Sequence, residues 1–204
     1  MKITEITAQK RNERLNIFID NKFAFGISSE LAYKYNLKTG KELNEKFIED
    51  ILKDEELNKA INQALKFLSY RQRSEKEIRD KLEDKGYEEI YVDEAVSYCK
   101  KHKYIDDRTF AESFIRDKIN LNNFGSYRIK RELGVKGISD EIISDVLIED
   151  KESEYERAFE IAKKKYSTYK NIDKIKAYRR LSGFLQRKGY SFDIVNSILN
   201  KLID

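Results

Sequence analysis

Leu185-Gln-Arg-Lys188-Gly189-Tyr190 closes a stretch of helically spaced apolar residues, and two earlier stretches of the 204-residue chain repeat it. They are Leu82-Glu-Asp-Lys85-Gly86-Tyr87 and Leu133-Gly-Val-Lys136-Gly137-Ile138, whose glycines lie 51 and 52 positions apart along the three copies. Self-similarity at such a period implies tandem modules rather than one enzyme core. The agreement extends outward from the glycine. Eight residues before it stand Ile78, Ile129 and Leu181; six after it come Val92, Ile143 and Val195, then Ala95/Val96, Val146/Leu147 and Ile198/Leu199. Spacings of three, four and seven place these residues on one helix face.

Each copy therefore reads as a helix, a glycine stop and a second amphipathic helix. A third apolar stretch precedes each pair, at Leu65/Leu68, Phe110/Phe114 and Phe159/Ala162, which gives three helices per module. The glycine fits the left-handed C′ position of a Schellman cap, with Leu82/Tyr87, Leu133/Ile138 and Leu185/Tyr190 as the apolar pairs that accompany it. Ser139 and Ser191 fit the N-caps of the helices that follow, and Ser74-x-x-Glu77 has the form of a capping box. Asp106-Asp107 is read as a cap for the helix holding Phe110 and Phe114 rather than as an acid/base pair.

The first fifty-odd residues follow a different period. Leu15, Ile17 and Ile19 alternate with Asn16, Phe18 and Asp20, and Phe23 and Phe25 resume after Asn21-Lys22, a hairpin signal with Ile3–Ala8 as third strand. A short helix over Ser29–Tyr35 and a turn at Thr39-Gly40 follow. The charged triplet Asp54-Glu55-Glu56 marks the expected junction with the helical array. The fold expected is mainly α: an elongated, curved array of three tandem three-helix modules (56–105, 106–152 and 153–204), preceded by a small β-hairpin-containing N-terminal unit (1–55).

Composition narrows the chemistry. There is one cysteine, one histidine and no proline, and no apolar run approaches the ~20 residues a membrane span needs. Cys99 and His102 are three apart, but a structural metal site takes about four ligands of that kind. No catalytic constellation, cofactor or metal is expected, and a reducing setting fits the single thiol. The formal net charge of +4 is uneven: residues 163–188 hold ten Lys/Arg and one acid, Asp173. Such a concentration points to a polyanion or an acidic protein groove as partner.

Placed on helices, the cations form a candidate stripe. Ile175, Tyr178, Leu181 and Leu185 are expected to be buried, which puts Lys176, Arg180 and Arg187 on another face with Gly183, beside Arg179 and Lys188. Arg128 and Arg131 flank Ile129 and Leu133 in the second copy, and the first copy offers Arg71, Arg73, Arg79 and Lys85. Arginine suits planar recognition of phosphate or carboxylate.

Taken in order, the motifs Arg73-Ser74-x-x-Glu77-Ile78-x-x-x-Leu82-x-x-x-Gly86, Tyr104-Ile-Asp-Asp107-x-x-Phe110-Ala111, Gly125-x-x-x-Ile129-x-x-x-Leu133-x-x-Lys136-Gly137-Ile138-Ser139 and Leu181-x-x-Phe184-Leu185-x-Arg187-Lys188-Gly189-Tyr190 resemble the RecX family, bacterial regulators of the RecA recombinase. The resemblance covers about residues 58–200, with Gly134 as a departure where a helix former is more usual. It implies a cytoplasmic, monomeric, non-catalytic protein that binds RecA, chiefly as its filament on single-stranded DNA, with direct contact to single- or double-stranded DNA as a further expectation. Binding would restrain filament growth, strand exchange, ATP hydrolysis and coprotease activity, and so modulate repair and recombination. The alternative is a RecA-independent, non-specific nucleic-acid-binding protein.

Overall fold

Alternation of apolar and polar residues builds a three-stranded antiparallel sheet, β1 (Ile3–Ala8), β2 (Arg14–Ile19) and β3 (Lys22–Ser28), in the order β1-β2-β3. Asp20 and Asn21, both at positive φ, make the tight β2–β3 turn, where short polar side chains tolerate the left-handed region. A bulge after Ile17 sets the register so that Ile17, Ile19, Phe25 and Ile27 share one core with Ile3, Leu31, Leu43 and Ile51. Among the described residues ten helices follow: α1 (Ser29–Lys34), α2 (Glu45–Tyr70), α3 (Glu75–Glu83), α4 (Glu89–Lys101), α5 (Asp107–Asn120), α6 (Ser126–Val135), α7 (Asp140–Val146), α8 (Lys151–Tyr166), α9 (Lys174–Lys188) and α10 (Phe192–Ile203). The structure, a computed structural model, describes residues 1–9, 14–148, 150–169 and 172–203. Lys170, one of the cations counted in 163–188, lies outside the described residues.

The chain forms two compact units. One comprises Met1–Arg71 with Arg79–Tyr104, the other Gln72–Ile78 with Ile105–Asp204. In the first, α4 packs along α2 and buries Val92, Ala95, Val96 and Cys99, whose thiol burial pushes up to about 11. In the second, α5, α6 and α7 enclose Phe110, Ile115, Ile129, Leu133 and Ile143, and α8, α9 and α10 enclose Ala158, Leu181, Leu185, Val195 and Ile198.

The repeated step is a Schellman cap in all three copies. Gly86, Gly137 and Gly189 have φ of 85°, 81° and 92°. The next amide reaches back to the leucine carbonyl, Tyr87 to Leu82 at 3.2 Å, Ile138 to Leu133 at 3.1 Å and Tyr190 to Leu185 at 3.3 Å. Those leucines are fully buried. Leu133→Ala and Leu185→Ala each remove a side chain from a closed core and are expected to cost about 2–5 kcal/mol. Chemical denaturation measures this, and an unmoved midpoint for either contradicts the packing.

Asp54-Glu55-Glu56 lies within α2, where Glu55 turns inward, only 2% exposed, to pair with Arg14 at 2.6 Å. Two expectations change. Ile175 and Tyr178 are exposed, at 63% and 39%, and not part of the buried stripe. Ala177 takes the first core position of α9, in step with Leu181 and Leu185 at intervals of four. The cap formed by Asp106 on Thr109 N is as expected, at 3.0 Å, but Asp107 serves a different helix: its Oδ1 accepts from Glu75 N of α3 at 2.8 Å.

That last contact belongs to a wider pattern. Helix starts leave backbone N–H groups without intrahelical partners, and a carboxylate there satisfies donors and the helix dipole together. Glu154 of α8, 5% exposed, accepts from Ser126 N at 2.7 Å and from its Oγ at 3.2 Å, at the start of α6. Glu55 accepts from Ser28 N at 3.0 Å, just ahead of α1.

Candidate polyanion interface

In the second unit, α6 and α9 meet backbone to backbone. Gly125 N donates to Lys188 O at 2.9 Å, and a β-carbon on Gly125 would stand 2.4 Å from Gly189 O. One on Gly189 would stand 2.2 Å from the Arg128 Cβ. This approach is open only to glycine, and it brings arginines from two helices to the rim of one cleft.

The cleft, about 690 Å³, is lined by Tyr127, Arg128, Arg131, Gly183, Gln186, Arg187 and Gly189. A second hollow of about 550 Å³ is lined by Lys165, Tyr169, Arg179, Arg180, Phe184 and Arg187. Arg187 borders both, so the two form one groove along α9. Among the described residues six cations and no acid line it, with Tyr127, Tyr169 and Phe184 set among them. Arginine pairs with phosphate or carboxylate through its planar fork, and Tyr127, 67% exposed, offers a stacking face, while Tyr169 and Phe184 are partly buried against the α8–α10 core.

The cations expected from the sequence divide by environment. Arg131, Arg179, Arg180 and Arg187 are exposed in the groove and make no ion pair with a described residue. Lys176 is exposed on α9 but lines neither hollow. Arg128 lines the cleft while acting as a clamp. Its Nη1 donates to Arg187 O at 2.9 Å, its Nε to Glu132 at 2.8 Å, and its guanidinium lies 3.7 Å over the Phe124 ring. Burial opposes the charge of Glu132, yet Arg128 and Lys118 hold its carboxyl below the usual carboxylate range. Lys188 turns away to donate to Asn122 O at 2.7 Å; burial and the like charge of Arg128 pull its ammonium below the usual lysine range.

The remaining four are not part of this groove. Arg73 stands in the 72–78 segment of the second unit and lines neither hollow. Arg71, Arg79 and Lys85 belong to the first unit, where Arg79 pairs with Asp93. Neither Arg71 nor Arg73 is a free cation. Sequence reasoning did not find Tyr127, Lys165, Tyr169, Phe184 and Gln186. The signal for Lys165 was present in Lys163-Lys164-Lys165, and Tyr127, next to Arg128 at a helix start, falls one step outside the buried stripe through Ile129.

Tyr190 closes the base of this joint. Its hydroxyl donates to Asn123 O at 3.0 Å, and burial pushes its pKa up to about 12 from an ordinary 10.0. The folded state therefore holds the phenol neutral where the unfolded chain ionises. Its contribution is complete below pH 10 and is lost as pH rises toward about 12. Melting temperature is expected to fall over that window, and Tyr190→Phe, lacking an ionisable group, to show a shallower fall there. Equal slopes for the two proteins contradict the assignment.

Models of four RecX segments match along the whole array: the regulatory protein RecX N-terminal domain at 1–44, and the first, second and third RecX three-helix domains at 60–99, 106–147 and 152–199. The regulatory protein RecX of Clostridioides difficile (strain 630) is 40% identical over 204 residues, 99% of this chain and 96% of the relative. The chain belongs to the RecX family. The Clostridium beijerinckii regulatory protein RecX is 39% identical, covering 99% of this chain and 96% of its own. Among solved structures, a crystal structure of regulatory protein RecX superposes with a TM-score of 0.78 at 32% identity, covering 98% of both chains. RecX from Lactobacillus salivarius gives 0.63 at 32% identity over 72% of this chain and 96% of that one. The family's proteins are named as regulators, and the tandem three-helix domains found here are its architecture. Among the described residues no His, Cys, Asp or Glu cluster is set to hold a metal, and no helix is long and apolar enough to cross a membrane.

Proposed function

We propose that this RecX-family chain binds the RecA recombinase, chiefly as its filament on single-stranded DNA, and inhibits filament growth, strand exchange, ATP hydrolysis and coprotease activity. The observation that carries the reading is the α6–α9 groove: among the described residues six cations, no acid and three aromatic rings line it, in a chain whose relatives are named regulatory proteins. Arg131, Arg179, Arg180 and Arg187 supply the contact, and Lys176 extends their face. Action is by occupancy rather than catalysis, in the cytoplasm. Tandem modules along a filament engage more than one protomer, which gives tight binding without a deep pocket.

A second reading, nucleic-acid binding without RecA, draws on Tyr127, Tyr169 and Phe184 standing among arginines, as in single-strand binding surfaces. The two are separated by RecA ATP hydrolysis on single-stranded DNA titrated with the chain. The RecA reading predicts inhibition that persists when the DNA is saturated with RecA. Full ATPase activity at saturating chain, alongside tight salt-sensitive binding to bare DNA, supports the second reading instead.

A further inference from the structure

The C-terminal end of α4 carries a further Schellman cap that, like the Asn36 cap ending α1, departs from the three repeated ones in having no glycine at C′. Tyr104 N donates to Cys99 O at 2.8 Å and Lys103 N to Lys100 O at 3.0 Å, so Lys103 is the C′ residue, with φ of 58°. Glycine holds that place at 86, 137 and 189, where it avoids the clash a β-carbon makes in the left-handed region. The residue after it also differs. Ile138 and Tyr190 are only 4% exposed, completing their cores, and Tyr87 is half-buried, whereas Tyr104 is 51% exposed. This corner keeps a lysine in a costly conformation and turns an aromatic ring to solvent.

The ring is not isolated. Tyr98 and His102, one helical turn apart, have centroids 4.4 Å apart, and His102 stacks on Tyr104 at 6.0 Å with 25° between planes. Tyr98 is 37% exposed. Lys101 and Lys103 are exposed and without an ion pair among the described residues, and no acidic residue falls between 98 and 104. A short ladder of rings flanked by unpaired ammonium groups combines the two elements of single-strand recognition, faces for bases and charge for the backbone.

We infer that this corner of the first unit binds single-stranded nucleic acid, with bases stacking on the Tyr98–His102–Tyr104 ladder and phosphates meeting Lys101 and Lys103. None of its residues lines the α6–α9 groove, and it does not depend on the RecA reading. Lys103 is kept in place of glycine because the ammonium serves binding at the expense of the fold.

The test uses the full chain without RecA and two fluorescent probes of equal length, an oligothymidylate and its abasic counterpart. Tyr98→Leu/Tyr104→Leu keeps apolar bulk but removes the rings. It is expected to weaken thymidylate binding about tenfold or more, the effect of losing a stacked base, while leaving the abasic affinity unchanged. Lys103→Gly is expected to raise the melting temperature while reducing the salt slope of binding by about 0.7, one phosphate contact on a single strand. Arg179→Glu/Arg180→Glu, in the groove, weakens both probes alike and so marks that separate contribution. Equal losses on both probes for the leucine pair, or no loss on either, overturns the inference. So does a Lys103→Gly chain that is stabilised with its affinity and salt slope intact.

Discussion

Gly189→Ala is expected to destabilise the chain by about 3–5 kcal/mol, the sum of a β-carbon forced into the left-handed region and an overpacked joint. The same substitution at the equivalent Gly86 is expected to cost only about 1 kcal/mol. Both residues make the same cap with nearly the same φ, 92° and 85°. They differ in what surrounds the added carbon. At Gly86 nothing lies within 4 Å, so only the backbone term remains. At Gly189 the new carbon stands 2.2 Å from Arg128 Cβ and 2.6 Å from its backbone nitrogen, neither of which can move without displacing α6. Gly137 falls between, with Lys76 Cβ at 2.6 Å on a side chain that can shift in part. Thermal and chemical melts of the three alanine variants measure the ranking. Equal losses at all three positions contradict the close α6–α9 approach and leave only the cap.

The second large effect is electrostatic. Arg179→Glu/Arg180→Glu/Arg187→Glu reverses three exposed cations that border the groove and make no ion pair with a described residue, so the fold loses little by the change. On the proposal that they meet phosphate or carboxylate, each contact is worth about 1.5 kcal/mol or more, and the triple change lowers filament affinity about a thousandfold or more. The salt dependence of binding flattens with it, because fewer counterions are released. Far-ultraviolet circular dichroism checks that helicity is unchanged. A folded triple variant with native affinity removes the groove from the interface. Arg128 and Lys188 are poor choices for the same experiment. Arg128 clamps Arg187 O and Lys188 holds Asn122 O, so changing them confounds binding with stability.

What could be read from the sequence was local. The Schellman pairs, the Ser139 and Ser191 caps and the β-hairpin are each written within a few neighbouring residues, and all are present in the structure. α9 departs from its expected register: Ile175 and Tyr178 look like core by residue type, but the small Ala177 is what fits against the neighbouring helices. Contacts between residues distant in sequence left no such mark. Nothing near Glu154 says that it caps Ser126, 28 positions away, and nothing near Gly125 says that it touches Gly189. The same holds for the cations. Charge counting found the basic concentration around α9, but which arginines face the groove and which are spent on carbonyls depends on how α6 and α9 meet.

The most direct measurement is cosedimentation of the chain with preassembled RecA filaments on single-stranded DNA, run beside RecA alone and DNA alone. The wild-type chain and the Arg179→Glu/Arg180→Glu/Arg187→Glu variant are compared at matched salt. The wild-type chain is expected to pellet with filaments more strongly than with either component, and the variant to stay in the supernatant. Equal pelleting of both proteins with filaments, or wild-type binding to bare DNA that RecA does not strengthen, contradicts it.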